Sequence, residues 1–251
     1  MKATIYMSTY NKNDVLANTL FSIARQKSSV PFEVCIVDDC SDVDPEPIIR
    51  KFIPDAKYIR LKKRCAFDVM ESYALTLASK DSDILIKQSA DVIHGSIDTI
   101  EKLCNGVDTK QICMAAVSNT NPPHDVYKYF DKYLPNLFKQ ALIGRKRSKP
   151  GKSYYFFLGA IMRNEFELLK CTSVAHCDII LADELRENEF KINYPKGLIG
   201  FHQQHPKTLI PCSRINTCPR KCQCKNGCKS LGWESFEDYL IKQKDKKCSF
   251  Q

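Results

Sequence analysis

Short apolar runs alternate with longer amphipathic stretches along the first half of the chain. Residues 4–7 are mainly apolar and are followed by the polar run 8–11, which predicts a buried strand that ends in a loop. Residues 14–26 carry apolar side chains at helical spacing and predict a helix, with residues 11–14 as candidate caps. The same patterns continue further on. The other predicted strands are 32–37, 58–61, 83–87, 112–117, 154–158, 191–194 and 198–201, and the other predicted helices are 48–52, 67–78, 97–104, one from about 163, and 178–188.

Two segments depart from this alternation. Residues 132–163 contain eight basic residues and no acidic one, which predicts a solvated loop up to the strand at 154–158. The last 45 residues, 207–251, are basic and cysteine-rich, with a predicted helix near 236–243. We therefore expect one α/β domain over 1–206 and a small cysteine-rich appendage over 207–251.

Strands that alternate with helices predict an α/β fold with a mostly parallel central sheet flanked by helices. In such sheets ligands bind at the carboxyl ends of the strands. The predicted strand ends carry Tyr10, Asp38, Asp39 and Asp91. These four side chains are the first candidates for a binding site.

The net charge of +9 is unevenly spread. Residues 1–206 carry 28 Lys and Arg against 25 Asp and Glu, while residues 207–251 carry 10 against 4. Because residues 1–206 are so close to neutral, the chain does not have the uniformly basic surface of a protein that coats nucleic acid, and we expect no nucleic-acid partner. The longest apolar stretch, 154–162, is far shorter than the ~20 residues of a membrane-spanning helix. The N-terminus lacks the apolar run of a secretory signal, so we expect a cytoplasmic protein without a transmembrane segment.

The chain has 13 cysteines, an odd number. In a cytoplasmic protein this favours free thiols over a disulfide framework. Five of them fall within 17 residues of the appendage: Cys212, Cys218, Cys222, Cys224 and Cys228. Four thiolates from this group could hold a structural Zn²⁺, with free thiols or disulfides in the appendage as the alternatives.

Each acidic candidate has a chemical and a structural interpretation. Asp38 and Asp39 could accept hydrogen bonds from a base or a ribose, or close the strand with an Asx turn. Asp91 could hold a divalent ion that bridges two phosphates, or cap the following helix. Asp178 could act as a general base towards an acceptor hydroxyl, or serve as an N-cap.

Three stretches in order carry a family resemblance. They are Ser8-Thr9-Tyr10-Asn11, then the helix end 20–26, then 32–42, which includes Val37-Asp38-Asp39-Cys40-Ser41. Over roughly residues 3–205 the chain resembles the family 2 glycosyltransferases, which have the GT-A fold. The family's D-x-D metal motif aligns with Ser89-Ala90-Asp91, so that the first acid is a serine and the second is kept.

The resemblance implies a role for each candidate. Thr9, Tyr10, Asp39 and Asp38 would hold the nucleoside of a UDP- or dTDP-sugar. From their position after the third predicted strand, Lys62, Lys63 and Arg64 could reach its phosphates, or could equally be surface charge. Asp91, with the late histidines His202 and His205, would hold Mn²⁺ or Mg²⁺ on the diphosphate. Asp178 lies where the family places its catalytic base for an inverting transfer to the hydroxyl of a glycan or glycoprotein.

Two other functions remain open at this point. A sugar nucleotidyltransferase also places a carboxylate–metal site at strand ends, but it usually has a glycine-rich loop after the first strand, and residues 8–11 contain no glycine. A non-catalytic module that binds a nucleotide sugar or a partner would fit the serine at position 89. In its lysine- and cysteine-rich composition the chain resembles glycosyltransferases of large algal DNA viruses, which would place it in the host cytoplasm. The sequence does not predict an oligomeric state.

Overall fold

The computed structural model describes residues 1–64, 67–120, 125–145, 158–169 and 185–203. The strands are β1 Ala3–Thr9, β2 Phe32–Asp38, β3 Lys57–Arg60, β4 Ile84–Gln88, β5 Val92–His94, β6 Gln111–Met114, β7 Ala116–Thr120, β8 Leu158–Met162, β9 Lys191–Asn193 and β10 Ile199–Gln203. The helices are α1 Asn13–Ala24, α2 Glu46–Phe52, α3 Phe67–Thr76, α4 Thr99–Asn105, α5 Phe130–Arg145 and α6 Arg163–Glu167, with a 3-10 helix at Val126–Tyr129.

Seven strands form the central sheet in the order β3-β2-β1-β4-β8-β6-β9. Every neighbouring pair is parallel except the two that involve β8, which runs antiparallel to both β4 and β6. The α/β class with a mostly parallel sheet is therefore confirmed. The register of β1 against β2 is unbroken from Ala3–Phe32 to Thr9–Asp38, so that both strands end at the same edge.

Helices cover both faces of this sheet. Successive residues of β1 point to opposite faces and therefore pack against different helices. Ile5 and Met7 pack in one apolar cluster with residues of α1, α2 and α4. Tyr6 packs in a second cluster with Ala74 of α3 and Phe166 of α6. A strand that is buried on both faces reads as a continuous apolar run, which explains the pattern at 4–7.

A second, small sheet has the order β5-β10-β7. Its β10 runs parallel to β7 and antiparallel to β5. It packs on α5 through an apolar cluster that includes Ile93, Phe130, Leu137 and Phe201. This sheet brings residues near position 200 beside the end of β4.

Two predictions for the middle of the chain are wrong. Residues 130–145 form α5 rather than a solvated loop, because Phe130, Leu134, Leu137 and Phe138 recur at helical spacing and face the small sheet. Pro135 lies inside this helix and masked the pattern. The predicted strand 112–117 is two strands, β6 and β7, which lie in different sheets on either side of Ala115.

Two further predictions meet the structure in part. The strand predicted at 154–158 overlaps β8, Leu158–Met162, and residues 154–157 lie outside the described part of the chain. Asp91 is followed by β5 rather than by a helix, so it does not cap one. Within the described ranges, the structure has no helix long and apolar enough to cross a membrane.

Candidate active site

The candidate residues lie where β1, β2 and β4 end. These three strands are parallel neighbours, so their carboxyl ends meet at one edge of the central sheet. Thr9 and Tyr10 come from the end of β1, Asp38 and Asp39 from the end of β2, and Asp91 from the loop after β4. The sheet therefore brings the sequence-predicted residues of three separate motifs together.

The loops that follow β1 and β2 are joined by side-chain hydrogen bonds. The backbone N–H of Asn11 donates to the Ser41 hydroxyl at 2.9 Å, and the Asn11 amide exchanges two hydrogen bonds with Asp42 at 2.8 and 2.9 Å. Asn11 and Cys40 both have left-handed backbones, with φ of 48° and 61°. A left-handed backbone is unfavourable for a residue with a side chain, so these bonds hold the loops in a conformation they would otherwise avoid.

Asp38 is fully buried and closes the turn after β2. Its carboxylate accepts hydrogen bonds from the Ser41 hydroxyl and from the Ser41 N–H, the latter at 3.0 Å, and lies 3.3 Å from the Arg60 guanidinium. Burial raises the pKa of Asp38, which the hydrogen bonds from Ser41 only partly offset. The structure thus contains the Asx-type turn that was one of the two interpretations of Asp38. Its contact with a nucleoside stays a prediction.

Tyr10, Asp39 and Arg64 form a second group at this edge. Asp39 is fully buried, and its N–H donates to the Thr9 carbonyl at 2.9 Å. Arg64, which follows β3, places its guanidinium carbon 3.8 Å from the centre of the Tyr10 ring and its Nε 3.7 Å from an Asp39 oxygen. The neighbouring Lys62 and Lys63 are exposed, so of these three basic residues Arg64 is the one turned into the site.

Several buried polar atoms of this group make no hydrogen bond within the described ranges. They are the Thr9 hydroxyl and the Nε and Nη2 atoms of Arg64. Buried polar groups in native proteins are nearly always paired, so such atoms at a strand end point to a bound partner. A nucleoside offers both donors and acceptors for them.

Asp91 is the centre of the other half of the site. Its side chain is 7% exposed, forms an ion pair with Lys12, and has one oxygen 3.5 Å from His202 Nε2. Burial would raise the pKa of Asp91, but the hydrogen bond from His202 and the charge of Lys12 outweigh it and hold that pKa well below its usual range. Asp91 is therefore a carboxylate at any physiological pH.

Strand β10 fixes the main chain at Asp91. The Gln203 N–H donates to the Asp91 carbonyl at 2.8 Å, and the Gln203 side chain bonds to Asn18, Thr19 and the Val15 carbonyl of α1. These bonds place His202, the residue before Gln203, beside the carboxylate.

A second buried bond fixes the end of β4. His94 Nε2 lies 2.7 Å from Gln88 Oε1, and burial lowers the pKa of His94 to about 3. A neutral His94 thus holds Gln88, three residues before Asp91, in the interior.

The residues present suit a divalent cation that also binds phosphate. Mg²⁺ is commonly held by one or two carboxylates plus substrate phosphates and water, and Mn²⁺ accepts both carboxylate and imidazole ligands. Asp91 and His202 supply one of each. Among the residues whose placement is described, no group of three or more His, Cys, Asp or Glu side chains is arranged to hold a metal, so further ligands would come from the nucleotide or from elsewhere.

Three other predictions lie outside the part of the chain that the structure describes. They concern Asp178 as the base, His205 as a metal ligand, and the cysteine cluster of the appendage. Their places relative to Asp91 stay predictions.

Lys12 is the site residue that sequence reasoning missed. It occupies the N-cap position of α1 without capping through its side chain. The available signal was a single basic residue directly after Ser8-Thr9-Tyr10-Asn11, at the point where the helix begins.

A family model described as "Glycosyl transferase family 2" matches residues 4–166, which is more than half of the chain. The chain belongs to this family. A hyaluronan synthase from Pasteurella multocida is 39% identical over 61 residues, a match that covers 24% of this chain and 6% of the synthase. The family model spans β1, β2 and Asp91 but ends before β10, which carries His202.

Several solved structures share the fold. TarS from S. aureus superposes with a TM-score of 0.57 at 15% identity, over 82% of this chain and 37% of TarS. A 1–349 form of TarS in complex with UDP-GlcNAc gives 0.56 at 14% identity, over 82% of this chain and 60% of that form. The mannosyltransferase PcManGT from Pyrobaculum calidifontis, in complex with GDP-Man and Mn²⁺, gives 0.53 at 19% identity, over 83% of this chain and 58% of that enzyme. The fold is thus the GT-A fold that the sequence motifs implied.

Proposed function

We propose that this chain transfers a sugar from a nucleotide-diphosphate donor to an acceptor hydroxyl. One observation carries the proposal: the buried, ionised Asp91 lies at the same sheet edge as Tyr10 and Asp39, which both contact Arg64, so that one extended ligand can reach both groups. An aromatic ring and a carboxylate at one strand edge suit a base, and a metal-binding carboxylate suits a diphosphate. The family supports the same reading, as do solved neighbours that hold UDP-GlcNAc and GDP-Man.

The nucleoside half is formed by Thr9, Tyr10 and Asp39. The Tyr10 ring would stack on the base, and the Asp39 carboxylate would accept a hydrogen bond from a ring N–H, which fits the uracil or thymine of a UDP- or dTDP-sugar. Arg64 covers the Tyr10 ring in the structure. Donor binding would move this guanidinium off the ring and towards the phosphates.

The phosphate half is formed by Asp91 and His202, with His205 as a further ligand proposed from the sequence. They would hold a Mn²⁺ or Mg²⁺ ion, which supplies positive charge to the departing nucleoside diphosphate. Asp91 serves this role because its low pKa keeps the carboxylate ionised.

Asp178 is our candidate for the general base. Its carboxylate would take the proton of the acceptor hydroxyl while the acceptor oxygen bonds to the anomeric carbon. The bond between that carbon and the diphosphate breaks in the same step, its electron pair leaves with the diphosphate, and the configuration of the sugar is inverted. The acceptor would be a hydroxyl of a glycan or a glycoprotein.

Three broader inferences accompany this function. They are the division into a catalytic domain over 1–206 and an appendage over 207–251, a structural Zn²⁺ on the cysteines of that appendage, and a cytoplasmic location.

A screen of nucleotide sugars tests the central proposal. The melting temperature of the full chain is measured with Mn²⁺ and each of a panel of UDP-, dTDP- and GDP-sugars, and release of the nucleoside diphosphate is followed for those that bind. We expect a UDP- or dTDP-sugar to raise the melting temperature and to be consumed. Binding without release under any acceptor would indicate a binding module, and absence of binding would exclude the glycosyltransferase.

Replacement of Asp178 by Asn tests the base. The variant should keep the donor-induced rise in melting temperature and lose transfer by about 10²–10⁴-fold, the usual contribution of a positioned base. Asp183→Asn, five residues further on, is the matched control and should retain full transfer. Full transfer by Asp178→Asn would assign the base to another residue.

A further inference from the structure

Lys12 and Asp91 form an ion pair at the centre of the phosphate half. The two side chains are only 18% and 7% exposed, so the pair is largely withdrawn from water. The same carboxylate oxygen, Oδ2, lies 3.5 Å from His202 Nε2. One of the two carboxylate oxygens of Asp91 is therefore already bonded to an ammonium group.

Because position 89 is a serine, Lys12 and a metal ion would compete for the single carboxylate of Asp91. Two carboxylates in the D-x-D pattern could hold a divalent cation and a lysine together, but Ser89 leaves Asp91 as the acid of that triplet. A dication and an ammonium bound to the same carboxylate would repel each other strongly in a partly buried site. Lys12 must move away before Asp91 can take a metal ion.

Moving Lys12 is unfavourable unless its charge finds a new partner. A cation taken from a partly buried ion pair loses its counterion and has little water to replace it. A nucleoside diphosphate brings negative oxygens to the same place. Its arrival would therefore release the Asp91 carboxylate by giving Lys12 another anion.

The local structure allows this movement. The main chain of Lys12 is fixed at the start of α1, since its carbonyl accepts the N–H groups of Val15 at 3.0 Å and Leu16 at 2.8 Å. Its side chain is a compact charge on a flexible four-carbon stem. The ammonium can change partner while the loop between β1 and α1 stays in place.

We propose that Lys12 is a positioning residue that exchanges partners, from Asp91 in the free protein to the donor diphosphate in the complex. This inference rests on the proposed function. It predicts that the metal ion and the nucleotide bind cooperatively. The nucleotide draws Lys12 away from Asp91, and a metal ion at Asp91 frees Lys12 to bind the nucleotide. The ion alone binds weakly, since it must displace Lys12 without compensation.

Calorimetric titrations on the full chain test the exchange. The Kd of Mn²⁺ is measured with and without saturating UDP, for the wild type and for Lys12→Met. In the wild type we expect UDP to tighten Mn²⁺ binding about ten-fold or more. In Lys12→Met we expect Mn²⁺ alone to bind more tightly than in the wild type, UDP without metal to bind more weakly, and the cooperativity to fall by about ten-fold.

Lys102→Met is the matched control, because Lys102 also pairs with an aspartate, Asp98, at 2.9 Å on α4. It should leave all three quantities unchanged. Unchanged Mn²⁺ affinity in Lys12→Met, with normal UDP binding, would overturn the exchange and leave the proposed function standing. If the wild type binds no nucleotide under any condition, both proposals fail. Should Lys12→Met not fold, the wild-type titrations still decide, since equal Mn²⁺ affinity with and without UDP overturns the exchange.

Discussion

Two threonines at opposite ends of β1 show how differently the two edges of the central sheet are built. Thr4 is fully buried, and its hydroxyl lies 2.8 Å from Glu33 Oε1 and 2.8 Å from the Ser82 hydroxyl. Thr9 is equally buried, yet its hydroxyl makes no hydrogen bond to any described part of the chain. The same residue type on the same strand is satisfied at the amino end and unsatisfied at the carboxyl end.

The surroundings of Glu33 extend this contrast. At the amino end Glu33 accepts hydrogen bonds from Thr4, from the N–H and hydroxyl of Ser79, and from Lys57. At the carboxyl end the backbone is left-handed at Asn11 and Cys40. The amino edge is closed by its own side chains and stabilises the fold. The carboxyl edge has buried polar groups that no described residue satisfies and two residues with a left-handed backbone, as the proposed ligand site requires.

Among variants of the two edges, the largest effect should come from Asp91→Asn at the carboxyl edge. Asparagine keeps the size of the side chain and removes the charge that a metal ion requires, so kcat/KM should fall by about 10²–10³-fold. Asp81→Asn is the control at the amino edge, where Asp81 pairs with Lys2 at 3.0 Å and its side chain is 72% exposed. It should leave transfer unchanged. Equal losses in the two variants would contradict the division between the edges.

Glu33→Ala should have the largest effect at the amino edge. It leaves the N–H and the hydroxyl of Ser79 without their acceptor and removes one of the two partners of the buried Thr4 hydroxyl, which should lower the free energy of unfolding by about 2–3 kcal/mol. Urea unfolding measures this loss. The kcat/KM of the folded variant should match the wild type, and a large fall in kcat/KM at unchanged stability would reverse the comparison.

Acid should affect the amino edge through the same residue. Burial would raise the pKa of Glu33, but hydrogen bonds from Ser79, Thr4 and Lys57 outweigh it and lower that pKa from 4.5 to about 2. A carboxyl group with a lowered pKa stabilises the folded state above its ordinary pKa, and this stability is lost as the pH falls through the folded value.

We therefore expect the wild type to lose stability between about pH 4.5 and pH 2, and Glu33→Ala to lose less over that window. Chemical unfolding at a series of pH values gives the difference between the two proteins. Parallel curves for the two proteins would show that Glu33 is not responsible.

The smallest effects should come from the threonine pair itself. Thr9→Val removes a buried hydroxyl that has no partner in the described chain, so it should raise the free energy of unfolding by about 1 kcal/mol and weaken nucleotide binding a few-fold. Thr4→Val removes a bonded hydroxyl and should lower stability by about 1 kcal/mol without changing nucleotide affinity. Urea unfolding and UDP titrations on both variants measure these changes in stability and affinity. A loss of stability in both variants would contradict the difference between the two ends of β1.

Local patterns predicted the parts of the molecule that local patterns determine. Apolar runs and helical spacing located the strands and helices of the first half, and the strand ends at Tyr10, Asp39 and Asp91 followed from them. The helix at 130–145 was also present in the spacing of its apolar residues. The basic residues of this segment and Pro135 favoured a loop instead. The contact that stabilises the helix, between its apolar face and the small sheet, is not visible in the local sequence.

What failed depends on contacts between distant residues. The break at Ala115 reflects two partners, since its N–H donates to the Leu158 carbonyl at 3.0 Å and the next N–H donates to the Leu198 carbonyl at 3.0 Å. The pairing of Lys12 with Asp91 joins residues 79 positions apart. No pattern within a short window specifies such pairs, so the charge balance around Asp91 emerged only from the fold.

The hydrogen bond from Gln203 to Asp91 also has a consequence for the order of synthesis. A ribosome completes β1, β2 and β4 more than 100 residues before it reaches β10. Until residue 203 has emerged, the Asp91 carbonyl lacks the N–H that fixes it, and the carboxylate lacks His202. The nascent chain can therefore pair β1, β2, β3 and β4 early, while Asp91 acquires its His202 and Gln203 partners only when β10 has been synthesised.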